Sequence, residues 1–194
     1  MNRIFDYNGT IVAPSNPVKK LKTVKKTLNI DSGDRDTVKY PSNGDFVVYL
    51  PRVYENVVSL RLMSAELPAT PTTGGGKLYY ILDIEGLNKS DECSVGADRS
   101  GYPDGFFGKI PVTTAADALV LYNDSSSLQN VAHYTPAIGK LDRLHIRLRN
   151  HSQKSLGDNV SWSADEYSLT FEIEMLDNTF DDFSSFESRV FDRA

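Results

Sequence analysis

The sequence holds one cysteine, Cys93, among 194 residues, so no internal disulfide can staple the chain. No second Cys or His stands near it at zinc-finger spacing, and a reducing assembly compartment is expected. No apolar run approaches the roughly 20 residues that cross a bilayer, which predicts no transmembrane segment, and the opening MNRIFDYNGT lacks the apolar stretch of a signal peptide. Secretion by the usual route is therefore not expected. No self-similarity recurs at a period of about 20 to 50 residues, which argues against a propeller or a solenoid. Helical patterning is confined to 115–118 and 177–190, where Phe180, Phe183 and Phe186 recur at spacing three and suggest a short closing helix or 3₁₀ turn. A chain of this length buries roughly 70% of its unfolded surface, so it needs neither disulfide nor metal to hold a core.

Catalytic and metal signatures are equally sparse. His145 and His151 stand six apart around an arginine-rich strand with no third ligand in sequence, which favours surface histidines over a metal site. Cys93 follows Asp91 and Glu92, and neighbouring carboxylates raise a thiol pKa, so it makes a poor nucleophile. Glu172 and Glu174 share a strand face, but i,i+2 neighbours stand about 7 Å apart on an open surface, unlike the closer pair of a retaining glycosidase. Gly74-Gly75-Gly76-Lys77 lacks the first glycine and the Ser or Thr of a phosphate loop, with Pro71 and Leu78 in those places. Asp31, Asp34 and Asp36 depart from the spacing of a calcium loop and read as a turn bonded to its own backbone. Five Asn-x-Ser/Thr triplets begin at Asn8, Asn88, Asn123, Asn150 and Asn159; without a signal sequence they carry little weight. No catalytic residue, cofactor or metal is assigned, and no enzyme is expected.

What is present is charge asymmetry and strand patterning. The formal net charge is -5, yet residues 1–30 carry Arg3, Lys19, Lys20, Lys22, Lys25 and Lys26 against Asp6 alone. Residues 165–194 carry nine carboxylates against Arg189 and Arg193. The two prolines of Ala13-Pro14-Ser15-Asn16-Pro17-Val18 and the lysines after them read as an extended basic arm over 1–26. Residues 13–30 contain no aromatic for base stacking, so an arm that docks on proteins is favoured over specific nucleic-acid binding.

From about Val24 short apolar runs alternate with turn residues. The clearest strands are 46–50, 57–66, 78–85, 118–122, 141–149 and 167–176, with weaker ones at 24–30, 106–112 and 130–134. Leu144, Ile146 and Leu148 oppose Arg143, His145, Arg147 and Arg149, and Leu169, Phe171, Ile173 and Met175 oppose Ser168, Thr170, Glu172 and Glu174. A sheet with one wet face writes this pattern. The fold class is all-β, and a single jelly-roll β-sandwich over 27–176 is expected, between the basic arm and an acidic, aromatic segment over 177–194 that closes the sandwich or contacts a neighbour. An immunoglobulin-type sandwich is weakened by the lone Cys and by Trp162 without a Cys pair.

The segments LNIDSGDRD (28–36), YPSNGDF (40–46) and VVSLRLMSAELP (57–68), followed later by KLDRLHIRLRN (140–150) and LTFEIE (169–174), form an unusual combined order. The first three resemble the opening, and the last two the final strands, of capsid proteins of nucleocytoplasmic large double-stranded-DNA viruses. The resemblance covers about 100 residues and brings no catalytic residues with it. It implies a structural capsid protein in the virion, assembled in the host cytoplasm. Major capsid proteins of these viruses pair two jelly rolls per chain, whereas one suits a five-fold vertex closed by heterologous contacts. A penton protein of an algal-type giant virus is the leading expectation, with itself (as a pentamer), the major capsid protein and other minor capsid proteins as partners. A minor capsid protein cementing capsomers is the second. The rival is a carbohydrate- or receptor-binding sandwich using Tyr79, Tyr102, Phe106, Phe107 and Trp162 as a platform. The residues expected to contact other proteins are Lys19, Lys20, Lys22, Lys25, Lys26, Phe180, Phe183 and Phe186, and the arm, extended at about 3.3 Å per residue, reaches roughly 80 Å.

Overall fold

The computed structural model describes residues 22–68, 78–92, 105–112, 119–125, 129–150, 160–162 and 165–177. The described residues form seven strands: β1 (Thr23–Asp31), β2 (Asp45–Leu67), β3 (Tyr79–Ile84), β4 (Gly108–Pro111), β5 (Val120–Asn123), β6 (Asn130–Arg149) and β7 (Ser168–Leu176), with a 3₁₀ turn over Ser32–Asp34. All pairings are antiparallel. The path runs β1-β7-β2-β6-β3-β4, with β5 also on β2.

Two long strands turn this path into a sandwich. Runs 46–50 and 57–66 are one strand, β2, and runs 130–134 and 141–149 are one strand, β6. The first half of β2 pairs the second half of β6, from Asp45 opposite Arg147 to Tyr49 opposite Arg143. Its second half pairs β7 on one side, and the start of β6 and then β5 on the other. The ladder shifts register between Tyr49 and Tyr54 and again between Val57 and Ser59, and Asn56 between them has φ 52°, a left-handed conformation that asparagine tolerates. The chain thus bends from one layer into the other. One layer is β1, β7, the second half of β2 and β5; the other is the first half of β2, the second half of β6, β3 and β4. This is the jelly roll expected from the strand count.

The core lies between the layers. Phe171 of β7 and Phe107 beside β4, both 0% exposed, meet edge to face with centroids 5.9 Å apart. Phe46, Leu60, Leu62, Leu82, Ile84, Ile110, Leu144 and Ile146 fill the space around them. A second bulge in the β2–β7 ladder, between Leu62 and Ser64, resets the alternation so that Val57, Leu60, Leu62, Ala65 and Leu67 all point inward despite uneven spacing. At one end Trp162 stacks edge to face on Tyr80 and Tyr167, and Tyr167 on Phe46. Asn43, 1% exposed, ties this end together. Its Oδ1 accepts from Trp162 N–H at 2.9 Å, its Nδ2 donates to the Asp165 carbonyl at 2.8 Å, and its carbonyl accepts from the Tyr167 hydroxyl at 2.8 Å. The helical patterning at 115–118 and 178–190 and the loop 69–77 lie outside the described residues.

Candidate functional site

The basic arm's last residues prove to be strand. β1 opens at Thr23, so Lys25 and Lys26 pair with Glu174 and Ile173 of β7, and Lys22 precedes it, its carbonyl accepting from Asp177 N–H at 2.8 Å. Lys25 points outward to Glu172, 2.9 Å away, and this hydrogen bond and its charge hold the ammonium pKa above its ordinary value. Lys26 has the opposite parity, sharing the inner face of β1 with Val24, Leu28 and Ile30, yet it is exposed because the other layer does not cover it there. Lys19, Lys20, Phe180, Phe183 and Phe186 lie outside the described residues, as do Cys93, Tyr102 and His151.

The outer face of the second layer gathers the charges that the alternating arginines announced. Glu85 faces His145 Nδ1 and Asp45 lies 2.6 Å from its Nε2, a pair of contacts satisfied when both nitrogens carry hydrogen. The hydrogen bond and charge of His145 hold the Glu85 carboxyl below its ordinary range. Arg149 grips Asp83, which is almost wholly buried, through Nε and Nη2. Among the described residues no group of three His, Cys, Asp or Glu side chains is arranged to hold a metal ion. Asp31 accepts from Gly33 N–H at 2.7 Å and Asp36 from Val38 N–H at 3.0 Å, so these carboxylates serve their own turns. Glu172 and Glu174 are occupied by Lys25 and Ser59.

A third cluster links the two layers. Arg35 donates from Nη1 to Glu166 at 2.7 Å and from Nε to the Tyr40 carbonyl at 3.0 Å, while Ser32 donates to the same carboxylate. Partial burial pushes the Glu166 pKa up, but the hydrogen bonds from Arg35, Ser32 and Asn43 outweigh it and hold the carboxyl below its ordinary range. These contacts tie the turn after β1 to the segment before β7. Of the aromatics of the sugar-platform reading, Phe107 at 0% and Trp162 at 3% exposed pack in the core, each edge to face with other aromatic rings, while Tyr79 and Phe106 are partly exposed.

What remains open is the seam between the layers along β1 and the first half of β2. β1 pairs only β7, and Asp45–Tyr49 pairs only β6 among the described residues. A groove of about 750 Å³ runs there, lined by Leu28, Ile30, Val48, Leu50, Tyr49 and Lys39 among others. A second hollow of about 320 Å³ follows it, lined by Val24, Arg52, Val53, Glu55, Met175 and Asp177. Val24, Tyr49 and Val53 are exposed large apolar side chains, an unusual concentration on one margin.

Over 132 residues, 67% of this chain and 73% of the relative, the sequence is 29% identical to the penton capsid protein P1 of Paramecium bursaria Chlorella virus 1. The chain is similar to a viral penton protein. That match bears out the resemblance to capsid proteins of large double-stranded-DNA viruses carried by 28–68, 140–150 and 169–174. No family model matches the chain.

Proposed function

We propose that this chain is a structural capsid protein of a large icosahedral DNA virus and builds the five-fold vertex as a ring of five copies. The observation that carries this reading is the similarity to a penton capsid protein over two thirds of the chain, in a molecule whose described residues make one jelly roll. A single sandwich per chain suits a position where five copies close a ring through heterologous contacts. The role is architectural: the charged clusters tie strands and turns together, and the margins are left to meet neighbours. In the virion those neighbours are further copies, the major capsid protein and other minor capsid proteins, joined during assembly in the host cytoplasm, with the basic residues before Thr23 reaching beneath the shell.

The test is native mass spectrometry of the full chain, followed by a map of the particle. The expected species has five times the 21.6 kDa of one chain, and the expected density is at the five-fold vertices. A chain that stays monomeric at every concentration and lies between capsomers in the particle would refute the vertex assignment.

A further inference from the structure

The seam is where this sandwich is unfinished. Lys26 stands on the inner face of β1 between Val24 and Leu28, and no ion pair is formed with it among the described residues. Beside it runs the groove, where Tyr40, Tyr49, Leu50 and Pro51 stand with Asp34, Arg35, Asp36 and Lys39, and the described chain leaves the fold at Asp177, which itself lines the hollow next to that groove. Residues 178–194 follow, carrying Phe180, Phe183, Phe186 and Phe191 with Asp181 and Asp182 among them.

We propose that the segment following Asp177 folds back into this seam in its own molecule, seating Phe180, Phe183 and Phe186 along the groove and placing Asp181 and Asp182 beside Lys26 and Arg52. Length permits it. From Val24 to Ile30 the seam is about 20 Å long at a strand rise of 3.3 Å per residue. Residues 178–194 span about 25 Å as a helix and about 55 Å extended, so either conformation reaches its far end. Charge favours this segment over the other terminus, which leaves at the same corner: Lys22, Lys26 and Arg52 stand there against Glu55 and Asp177, so Lys19 and Lys20 of residues 1–21 would add to an excess of cations, whereas Asp181 and Asp182 balance it. Chemistry agrees as well, since aromatic side chains are the ones that gain most from covering Tyr49, Leu50 and Val53. The occupant is tethered, so its effective concentration at the groove is far above that of any free partner. This inference stands apart from the vertex reading, because it concerns one molecule and holds or fails in a monomer.

A photoreactive benzoylphenylalanine at position 183 of the full chain tests it, with cross-links mapped by mass spectrometry in a mixture of unlabelled and nitrogen-15-labelled protein. Cross-links to 24–30 or 47–56 within a single isotopic form are expected. Cross-links elsewhere in the molecule, or between the two isotopic forms, overturn the proposal. Independently, the full chain carrying Phe180→Ser, Phe183→Ser and Phe186→Ser is expected to exchange amide hydrogens at 24–30 and 47–53 about tenfold faster, with 169–175 of β7 unchanged. Unaltered exchange at the seam refutes it. The cross-link uses an intact groove and decides the matter even where the triple variant fails to fold.

Discussion

A methyl group added at Gly44 probes the closed end of the sandwich more sharply than any large truncation. A Cβ built there stands 2.2 Å from the carbonyl oxygen of Val160 and 3.3 Å from the Ser161 Cβ. Neither backbone has room to give, because the Gly44 carbonyl accepts from Leu148 N–H at 3.0 Å while Val160 N–H donates to the Leu148 carbonyl at 2.7 Å. Relief of about 1 Å must break the second of these bonds or shift the turn that Asn43 holds. Overpacking of this kind costs about 1–3 kcal/mol and the broken bond about 1 more, so Gly44→Ala loses about 2–4 kcal/mol. For a chain of this size that lowers Tm by about 5–15 °C. Two other glycines are controls in the same assay, thermal and urea unfolding followed by circular dichroism. Gly86 has φ 77° and nothing within 4 Å, so its alanine pays only left-handed strain, about 1–2 kcal/mol. Gly139 has open space and no positive φ, so its alanine is neutral or slightly stabilising. If Gly44→Ala unfolds with Gly139→Ala, the close approach argued here is wrong.

The interlayer core and the Arg35 cluster yield two further outcomes. Phe171→Ala removes a ring 0% exposed that meets Phe107 and is expected to cost about 3–5 kcal/mol, read as a lower urea midpoint at constant m; a shift under about 1 kcal/mol refutes the two-layer packing. Glu166 has a folded pKa held below its ordinary 4.5, so the stability it contributes is complete above that value and is lost as pH falls through the folded one. Glu166→Gln should therefore be less stable than the parent at neutral pH and show a shallower loss between about pH 5 and 3. Parallel pH profiles for the two proteins would contradict the cluster's role.

The strands were legible wherever alternation is uninterrupted. In β7 and over Leu144–Arg149 of β6 every second residue is buried, and period two sufficed. Two features escaped because their signal is not periodic. The merging of 46–50 with 57–66 depends on Pro51, Arg52 and Asn56 turning a corner without leaving the sheet, and these residue types write a loop as readily as a bend. The inward set Val57, Leu60, Leu62, Ala65 and Leu67 breaks alternation twice, since each bulge adds a residue that no period predicts. Lys25 and Lys26 fell in both the arm over 1–26 and the weaker strand expected over 24–30, and β1 bears out the strand, in which Val24, Lys26, Leu28 and Ile30 alternate with Lys25, Thr27 and Asn29. Phe107 and Trp162 hold the core position that such aromatics more often take than a place on a sugar platform, although a lone aromatic carries no mark of burial. The polar tie at Asn43 was hidden too, since its partners, Trp162, Asp165 and Tyr167, lie about 120 residues away.

The distribution of paired charge says which surfaces meet neighbours. On the outer face of the first layer Lys25 holds Glu172, Ser59 holds Glu174, Ser168 holds Glu66 and Thr170 holds Asn29. On that of the second, His145 holds Asp45 and Glu85, and Arg149 holds Asp83. Faces so satisfied gain little from a partner, because each pair would have to be desolvated again. Among the described residues the exposed large apolar side chains are Val24, Tyr49 and Val53 along the seam, Leu119 and Leu121, each 60% exposed, beside and on β5, and Val38 and Leu78 elsewhere. On the vertex reading the β5 margin is one apolar surface, among the described residues, for the next copy, and a ring closed by heterologous contacts pairs it with a different patch. Leu121→Lys tests this, since Leu121 lies opposite Glu66 and a lysine there gains a cross-strand partner while losing the apolar contact. The expected result is a Tm within about 2 °C of the parent, as for other surface changes, together with a clear loss of pentamer in native mass spectrometry. An undiminished pentamer would move the contact away from β5 and onto the paired faces, against the argument from desolvation.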